Sequence, residues 1–387
     1  MSELFESELA GLASRRALRI LRSTQGRAAV IDGRELILFS TNDYLGLSHH
    51  PAVIESACRA AREYGWGSGA SRLISGTTIP HAEFEQAAAA FLDKPAALMF
   101  SSGYAANTGL LTALMGRGDT VFADRLCHAS ILDGARFSGA KLIRYTHNDP
   151  DDLARRLAAA PARGKRLIVT DGVFSMDGDI APLAELAQLA ERCRAIFMVD
   201  DAHGFGVSGP QGRGTPHMAG VHERVDIHVA TLGKALGGEG GFIAGSRSLI
   251  DGLINFSRSF IYSTSPPAAQ AASGLTALEL VKSDTGAKLR EKLFENMRKM
   301  VQILEKIGYN TQPVESHIVP IVMESGERLT GCYRYLLERG LYVPAIRPPT
   351  VPSGGERFRV SLSAAHTGDD MARLGSVFDE LKAGGLL

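Results

Sequence analysis

The chain has 387 residues, of which 45% are hydrophobic and 22% are charged, values that are ordinary for a globular protein. Lysine plus arginine and aspartate plus glutamate number 42 each, so the charge balance favours neither a nucleic-acid partner nor a membrane surface. No apolar run approaches the roughly 20 residues of a membrane helix, and the length suits a large domain with a smaller one.

The first segment, MSELFESELAGLASRRALRILRS (1–23), predicts an amphipathic helix. Its arginines suggest a transit peptide, but Glu3, Glu6 and Glu8 argue against one because such peptides are poor in acids. We therefore expect a structural arm over residues 1–45. The four cysteines are scattered without a CxxC pair, which favours a reducing cytoplasm.

Between residues 95 and 245, short apolar runs alternate with helical segments. The predicted strands are 95–100, 141–145, 166–174, 195–201, 226–233 and 240–245. Such continuous apolar runs are typical of strands that are buried on both faces of a mostly parallel sheet. The helical stretches between them, such as 149–160 and 182–193, begin at Asp or Pro. The fold class is therefore α/β, with a large domain over residues 46–282.

The rest of the chain predicts a smaller α+β domain over residues 283–387. A long charged helix with apolar residues at helical spacing spans 285–308 and ends at Gly308. Strands follow at 317–323 and 357–363, around a helix near 329–339.

Two residues of the large domain form the pair that a pyridoxal 5'-phosphate (PLP) site needs. Lys234 lies among small residues in TLGKALGGEGG (231–241), and Asp200 ends the apolar run AIFMVD (195–200). A lysine holds the PLP aldehyde as a Schiff base, and an acid keeps the pyridine nitrogen protonated so that the ring acts as an electron sink.

A candidate phosphate site lies in MFSSGYAANTGLLTAL (99–114), which runs from a strand through a small-residue loop into a helix. Amides at the start of a helix point at anions, and Gly103 and Tyr104 are the best donors here. An ordinary strand-to-helix connection is the alternative. The glycines of GWGSGAS (65–71) follow a helical segment, so they lack the context of a dinucleotide-binding fingerprint.

Two histidines are candidates for contact with a pyridine ring. His128 in CHAS and His203 in DDAHGFG follow strand or loop ends, and an imidazole can stack on the ring or hydrogen-bond its oxygen. Taken alone, such a histidine is more often a structural residue whose hydrogen bonds are satisfied. An arginine of ERFRVSLS (356–363) is a candidate clamp for a substrate carboxylate, with a solvent-facing edge strand as the alternative.

Two other kinds of site are disfavoured. VFSMDG (173–178) lacks the nucleophile elbow of a serine hydrolase. His217, His222 and His228 have no compact spacing and no matching acids, so we predict no metal site.

Together these segments resemble the α-oxoamine synthases, a branch of the fold-type I PLP enzymes. The resemblance runs from STNDYLGLSHHP (40–51) to RFRVSLSAAHT (357–367). It implies a fold-type I transferase with PLP as cofactor. Three segments are most similar to the members that condense L-alanine with pimeloyl-CoA or pimeloyl-acyl carrier protein in biotin biosynthesis: GSGASRLISGTTIPHAEFE (67–85), SFIYSTSPPAAQ (259–270) and IRPPTVPSG (346–354).

The resemblance also implies roles at the cofactor. Lys234 would bond to the aldehyde and later move the proton of the amino-acid Cα. Asp200 would pair with the pyridine nitrogen, and His128 would stack on the ring. His203 would hydrogen-bond the ring oxygen, with Ser175 nearby.

Further roles concern the phosphate and the substrates. Thr231 would bind the phosphate together with the two amides of 103–104. Asn42 and Arg359 would meet the amino-acid carboxylate. Arg22, from its place in the arm, would meet the far carboxyl end of a dicarboxylic acyl chain.

The resemblance implies a homodimer with sites at the subunit interface, where SFIYSTS (259–265) would reach the neighbour's phosphate through Ser263 or Thr264. Sister chemistries stay open: glycine with acetyl-CoA or succinyl-CoA, and L-serine with a long acyl-CoA. A cofactor-less partner subunit is disfavoured because Lys234, Asp200 and His128 are all present. An NAD-dependent oxidoreductase is disfavoured by the missing glycine fingerprint.

Overall fold

The computed structural model describes residues 20–24, 26–160, 163–309, 314–348 and 350–387. Their strands form three sheets, in the orders β1-β2-β3-β12, β4-β10-β9-β8-β7-β5-β6 and β11-β14-β13. The strands are β1 (Leu21–Thr24), β2 (Ala28–Ile31), β3 (Arg34–Leu38), β4 (Ala96–Phe100), β5 (Thr120–Asp124), β6 (Lys141–Tyr145), β7 (Arg166–Asp171), β8 (Ile196–Asp200), β9 (Ile227–Thr231), β10 (Gly241–Gly245), β11 (Ile318–Val322), β12 (Leu341–Tyr342), β13 (Ala345–Ile346) and β14 (Arg357–Ser361).

Helices connect these strands and cover the central sheet. The α-helices among the described residues are Pro51–Tyr64, Ile79–Phe91, Gly103–Leu114, Ala129–Ser138, Pro150–Ala159, Leu183–Cys193, Thr215–Met218, Arg247–Phe256, Arg258–Ile261, Ala268–Lys282, Asp284–Lys306, Gly326–Glu338 and Gly368–Ala383. A π-helical turn, Arg72–Gly76, precedes the second of them. Among the described residues, no helix is both long enough and apolar enough to span a bilayer.

The central seven-stranded sheet is mostly parallel. Only β10 runs against its neighbours, pairing antiparallel with β4 and β9. Every residue of β4, β5, β9 and β10 is buried, because helices pack on both faces of the sheet. The predicted α/β fold class, a fold-type I transferase, is confirmed.

Strand β5 was not among the strands expected from the sequence. It lies between β6 and β7 in the sheet and pairs parallel with both. Its sequence, TVFAD (120–124), has only three consecutive apolar residues, so it is too short to form a distinct apolar run.

The carboxyl ends of three neighbouring parallel strands place polar side chains along one edge of the sheet. Strand β7 ends at Asp171, β8 at Asp200 and β9 at Thr231, and Asp171 pairs in register with Asp200. Ligands of open α/β sheets bind at this edge because helix starts and loop amides converge there.

The two smaller sheets bring distant parts of the chain to the same edge. Strand β14 lies between β11 and β13 and carries Arg359. In the other sheet, β12 pairs parallel with β3, which joins residues 34–38 to residues 341–342. Residues 1–19 of the predicted N-terminal helix lie outside the described residues, and the helix prediction is wrong for residues 21–23, which lie in strand β1.

Candidate active site

A cavity of about 190 Å³ opens at the carboxyl ends of β7, β8 and β9. It brings together seven residues that the sequence analysis singled out: Gly103, Tyr104, His128, Asp200, His203, Thr231 and Lys234. Asn107, Ser130, Asp171, Ala202, Val229 and Ala230 complete the described wall.

Lys234 lies in the loop between β9 and β10, where a tight turn fixes its backbone. The carbonyl of Lys234 accepts from the amide of Gly237 at 2.9 Å. Gly237 has a φ of +66°, and a Cβ there would lie 2.2 Å from the amide nitrogen of Ser48, so only glycine fits this turn. Burial lowers the pKa of Lys234 to about 8, although the nearby charges of Asp200 and Asp171 act in the opposite direction. About a tenth of this lysine is therefore a neutral amine at pH 7, and the rest is protonated.

Asp200 is a buried carboxylate whose hydrogen-bond partners carry no charge. It is 7% exposed and accepts from Asn107 Nδ2 at 2.7 Å and from the amide of Ala202 at 3.1 Å. Among the described residues, no lysine, arginine or histidine forms an ion pair with it. A buried carboxylate without a cation favours a positively charged ligand group.

Two other acids lie beside Asp200: Asp171 on the neighbouring strand and Asp201 as the next residue in the chain. They have different roles. Burial and the neighbouring Asp200 raise the pKa of Asp171 well above its usual range, so this carboxyl group is neutral beside Asp200. Asp201 is fully buried and accepts from the amide and hydroxyl of Thr215 at 3.0 and 2.6 Å, so it stabilises the neighbouring loop.

His203 contacts the reactive lysine directly. Its Nε2 lies 2.9 Å from Lys234 Nζ, and its Nδ1 lies 2.6 Å from the hydroxyl of Tyr44. Burial, together with the charges of Lys234 and Arg359, lowers the pKa of His203 well below its usual range. The ring is therefore neutral and presents one donor nitrogen and one acceptor nitrogen.

His128 lies on the opposite side of the cavity, where it caps the helix Ala129–Ser138. Its amide donates to Asp171 Oδ1 at 3.2 Å, and its Nδ1 lies 2.7 Å from the hydroxyl of Ser130. Ser130 in turn accepts from Asn107 Nδ2 at 2.9 Å. Asn107 therefore links His128, through Ser130, to Asp200.

The start of the helix Gly103–Leu114 forms one end of the cavity. The hydroxyl of Ser102 accepts from the amide of Ala105 at 3.0 Å, and the first helical bond runs from Ala106 to the Ser102 carbonyl. The amides of Gly103 and Tyr104 precede that bond, so they have no acceptor within the helix and could donate to an anion. Thr231 is close by but donates to the carbonyl of Gly240 at 2.6 Å, so its hydroxyl must turn to meet a phosphate.

Arg359 is a buried arginine for which the structure shows no carboxylate partner within its described residues. It is 6% exposed, and it donates to the Ser361 hydroxyl at 2.5 Å, to Asn42 Oδ1 at 3.4 Å and to the Ser175 carbonyl. Arg357, two residues away on the same face of β14, is instead paired with Asp177 at 2.5 Å. Arg359 therefore has the free charge that a carboxylate ligand would need.

Three predicted residues with described side chains, Asn42, Ser175 and Arg359, are not part of the described cavity wall. Ser175 contacts Arg359 through its carbonyl. Arg22 lies in strand β1, and its side chain is outside the described part of the structure.

The expectation that the histidines near 217–228 have no compact arrangement with an acid is wrong. The rings of His217 and His222 stack with centroids 4.2 Å apart, and ligand atoms of Asp93, His217 and His222 lie within 4.8 Å of one another. Asp93 lies in a turn, His217 in the short helix Thr215–Met218 and His222 at the start of the 3-10 helix His222–Arg224. The spacing of the histidines along the chain therefore did not reveal the acid beside them. Arg213 Nη1 lies 2.5 Å from Asp93 Oδ2 and already neutralises that carboxylate, so no metal site is assigned here.

Sequence reasoning missed Asn107 and Tyr44. Asn107 lies four residues after Gly103, so helical spacing places both on one face, and a lone amide among alanines and glycine was the available signal. Tyr44 lies in the same STNDYLG segment as Asn42, and its aromatic ring made it resemble an ordinary core residue.

Comparison with known proteins assigns this arrangement to a family. The family model described as aminotransferase class I and II matches residues 34–378. The chain belongs to the class I and II aminotransferase family. This family is PLP-dependent, so the prediction of PLP as cofactor is confirmed.

Individual members of the aminotransferase family match almost the whole chain. The 8-amino-7-oxononanoate synthase of Geotalea daltonii is 50% identical over 372 residues, which are 96% of this chain and 94% of that protein. A serine palmitoyltransferase from S. paucimobilis with bound PLP superposes with a TM-score of 0.93 at 33% identity, covering 100% of this chain and 97% of that chain. An 8-amino-7-oxononanoate synthase from Francisella tularensis gives a TM-score of 0.77 at 30% identity over 90% of this chain and 99% of that chain. The resemblance to the α-oxoamine synthases is confirmed.

The residues of the cavity fit the cofactor of the aminotransferase family. The buried Asp200 lacks a cationic partner, which suits a protonated pyridine nitrogen, and the amides of Gly103 and Tyr104 suit a phosphate. Lys234, with a pKa of about 8, provides the amine that reacts with the aldehyde.

Proposed function

We propose that this protein condenses L-alanine with a pimeloyl thioester, giving 8-amino-7-oxononanoate, carbon dioxide and the free thiol carrier in biotin biosynthesis. The observation that carries the proposal is the near full-length similarity to 8-amino-7-oxononanoate synthases at up to 50% identity. The cavity geometry supports it because the residues proposed to hold the cofactor line one cavity. Asn42 and Arg359 connect to that cavity through a chain of hydrogen bonds that runs over Tyr44 to His203.

The chemistry begins at the Cα of the amino acid. Bound PLP supplies the electron sink that makes this carbon acidic. Lys234 takes the Cα proton as the general base once its amine is free, and its lowered pKa suits that role near neutral pH. Cα then attacks the thioester carbonyl and the thiol leaves; the carboxylate departs as carbon dioxide, and a proton returns to Cα.

Three residues assist Lys234 by their charge and position. Asp200 would hold a proton on the pyridine nitrogen, since its buried carboxylate forms no ion pair with a side chain of the described residues. His203 would donate to the ring oxygen through Nε2, the nitrogen that faces the lysine. His128 would lie against the ring, held in place by Ser130.

Arg359 and Asn42 are proposed to bind the amino-acid carboxylate. The free charge of Arg359 and its hydrogen bond with Asn42 Oδ1 at 3.4 Å support a bidentate clamp. The charge of Arg359 also lowers the pKa of Lys234 and His203, so the guanidinium lies close enough to act on both. The role of Arg22 at the far carboxyl end of the acyl chain stays a prediction from its place in the arm.

We also propose a homodimer with interfacial active sites. A set of large apolar side chains is exposed on two adjoining segments: Trp66, Leu73, Ile74, Ile79 and Tyr262. An isolated β-bridge between Ser71 and Thr264 joins the segments. A group of large exposed apolar side chains on neighbouring segments is typical of a protein–protein interface. Ser263 and Thr264, the residues proposed to reach the neighbour's phosphate, directly follow the exposed Tyr262.

The organisation proposed for the chain is an arm over 1–45, a large PLP-binding domain over 46–282 and a small domain over 283–387. The central sheet lies wholly within the second range, and the β11-β14-β13 sheet within the third. A cytoplasmic location is proposed as well, supported by four free cysteines.

Thiol release by the purified protein with PLP tests the function. L-Alanine would be paired with pimeloyl-CoA and pimeloyl-acyl carrier protein, and glycine or L-serine with acetyl-, succinyl- and palmitoyl-CoA. We expect release with alanine and a pimeloyl donor, and its preferred carrier identifies the natural one. Faster release with another pair would contradict the alanine–pimeloyl assignment and favour a sister synthase.

A further inference from the structure

Tyr44 is a fully buried tyrosine whose hydroxyl has two partners at the active site. It lies 2.6 Å from His203 Nδ1 and 3.0 Å from Asn42 Oδ1. Burial raises the pKa of Tyr44 to about 12, so the phenol keeps its proton throughout the working range. No role for this residue follows from the reaction proposed above.

The position of the hydroxyl is fixed from several sides. The ring of Tyr44 packs on that of His317 with centroids 3.9 Å apart. Its amide donates to the Asn42 carbonyl at 2.8 Å, and its own carbonyl accepts from Ala364 at 2.8 Å. These contacts come from segments of the chain that lie outside the central sheet.

The direction of each hydrogen bond follows from the donor at Lys234. A protonated lysine can only donate, so His203 Nε2, at 2.9 Å, must accept from it. The neutral ring then carries its proton on Nδ1 and donates to the Tyr44 oxygen. The hydroxyl of Tyr44 then donates its own proton to Asn42 Oδ1, an amide oxygen that can only accept.

The direction reverses when an acceptor faces Nε2. In the function proposed above, the ring oxygen of the cofactor takes that place, so His203 must carry its proton on Nε2. Nδ1 then needs a donor, and the hydroxyl of Tyr44 is already at hydrogen-bond distance. Asn42 Oδ1 keeps its contact with Arg359 at 3.4 Å.

We propose that Tyr44 is a positioning residue for His203, because its hydroxyl complements either neutral tautomer and so lets Nε2 face a donor or an acceptor. Without the hydroxyl, one tautomer leaves a buried N–H unpaired and the other leaves a buried lone pair unpaired, and both cost free energy. Tyr44 acts through His203, which is the residue that contacts Lys234. This proposal rests on the proposed function only in one respect: the group that accepts from His203 Nε2 is taken to be the ring oxygen of the cofactor.

A double-mutant cycle on PLP binding tests this role. The PLP dissociation constants of four apoproteins would be measured by equilibrium dialysis: wild type, Tyr44→Phe, His203→Asn and the double variant. We expect Tyr44→Phe to weaken PLP binding about tenfold in the wild-type background, a typical value for a lost buried hydrogen bond. In the His203→Asn background we expect less than about a threefold effect, since the two residues act as one unit.

Controls separate this role from general destabilisation. Tyr309→Phe removes another tyrosine hydrogen bond, the 2.9 Å bond to the Val322 carbonyl, and should leave PLP affinity unchanged. Tyr44→Phe keeps the ring that packs on His317, and its thermal unfolding midpoint checks that the fold is intact. An unchanged dissociation constant, or the same loss in both His203 backgrounds, would overturn the proposal.

Turnover gives a second readout. In the reaction proposed above, Tyr44→Phe should lower kcat about ten- to a hundredfold, the effect typical of removing a partner of an orienting histidine, with little change in KM for alanine. A raised KM at constant kcat would contradict a role through His203. The PLP-binding cycle needs no substrate, so it remains decisive for Tyr44 even if the proposed substrates prove wrong.

Discussion

At the scale of single residues, the protonation state of Lys234 controls the first chemical event at the site. Its amine must be neutral to attack the PLP aldehyde, and burial lowers its pKa from the ordinary lysine value of 10.5 to about 8. The neutral fraction therefore rises as pH increases through 8 and is nearly complete two units above it.

This predicts the pH dependence of PLP capture by the apoprotein. The observed rate should rise about tenfold per unit below pH 8 and level off above it, as for one titrating group. Stopped-flow absorbance between pH 6 and 10 provides the measurement, and Lys234→Ala, which should show no covalent capture, is the control. A rate that keeps rising to pH 10 would mean that the lysine is not desolvated.

The residues with distinctive chemistry were predictable, whereas their supporting partners were not. Lys234 and Asp200 stand out because a lysine among glycines and an acid at a strand end are unusual there. Asn107 and Tyr44 do not stand out, because the neighbouring sequence does not distinguish an asparagine or tyrosine that hydrogen-bonds to a distant residue from an ordinary one. Their partners Asp200 and His203 are 93 and 159 positions away.

At the scale of elements, the central sheet followed from the sequence because most of its strands are continuous apolar runs. Strand β5 has five residues, as many as most strands of the sheet, but it was missed because its three apolar residues lie between Thr120 and Asp124 in an otherwise polar stretch. The smaller sheet that joins β3 to β12 could not be predicted either, because its pairing depends on how two ends of the chain meet. Hydrophobic periodicity in the sequence predicts that a strand or helix forms, but it does not predict which strand pairs with which.

The end of β5 is tied to two loops by His147. His147 Nδ1 lies 3.0 Å from Asp124 Oδ1, and Nε2 lies 2.6 Å from Asp179 Oδ2. Burial opposes the charge of the ring, but hydrogen bonds with both carboxylates outweigh it and raise the pKa of His147 to about 10. The raised pKa means that the folded state holds this proton more tightly than the unfolded chain does.

The stabilisation by His147 should therefore depend on pH. It is fully present below the unfolded pKa of about 6.5 and is lost as pH rises toward 10. His147→Asn should lower the free energy of unfolding by about 2 kcal/mol at pH 6 and by less at pH 9.5. Urea unfolding at both values measures this, with exposed His49→Asn as the control. A larger loss at pH 9.5 than at pH 6 would contradict the charged histidine.

At the scale of the whole molecule, the proposed dimer makes a direct prediction. Ile74 is 81% exposed on the π-helical turn beside the proposed interface. Ile74→Asp should shift the protein toward monomer in sedimentation and lower thiol release at least tenfold, because a charge in an apolar interface is costly. Val322→Asp, at an exposed position of strand β11 away from these segments, should change neither. A wild-type monomer with full activity would disprove the interfacial site.

The proposed reaction is a condensation in which alanine loses its carboxyl group while its Cα joins a pimeloyl chain. The most direct measurement supplies alanine labelled with carbon-13 in either the carboxyl or the methyl group and follows both products by mass spectrometry. The carboxyl label should leave in carbon dioxide, and the methyl label should appear in 8-amino-7-oxononanoate, one of each per thiol released. Thiol release without labelled carbon dioxide, or a product that lacks the methyl label, would contradict the account.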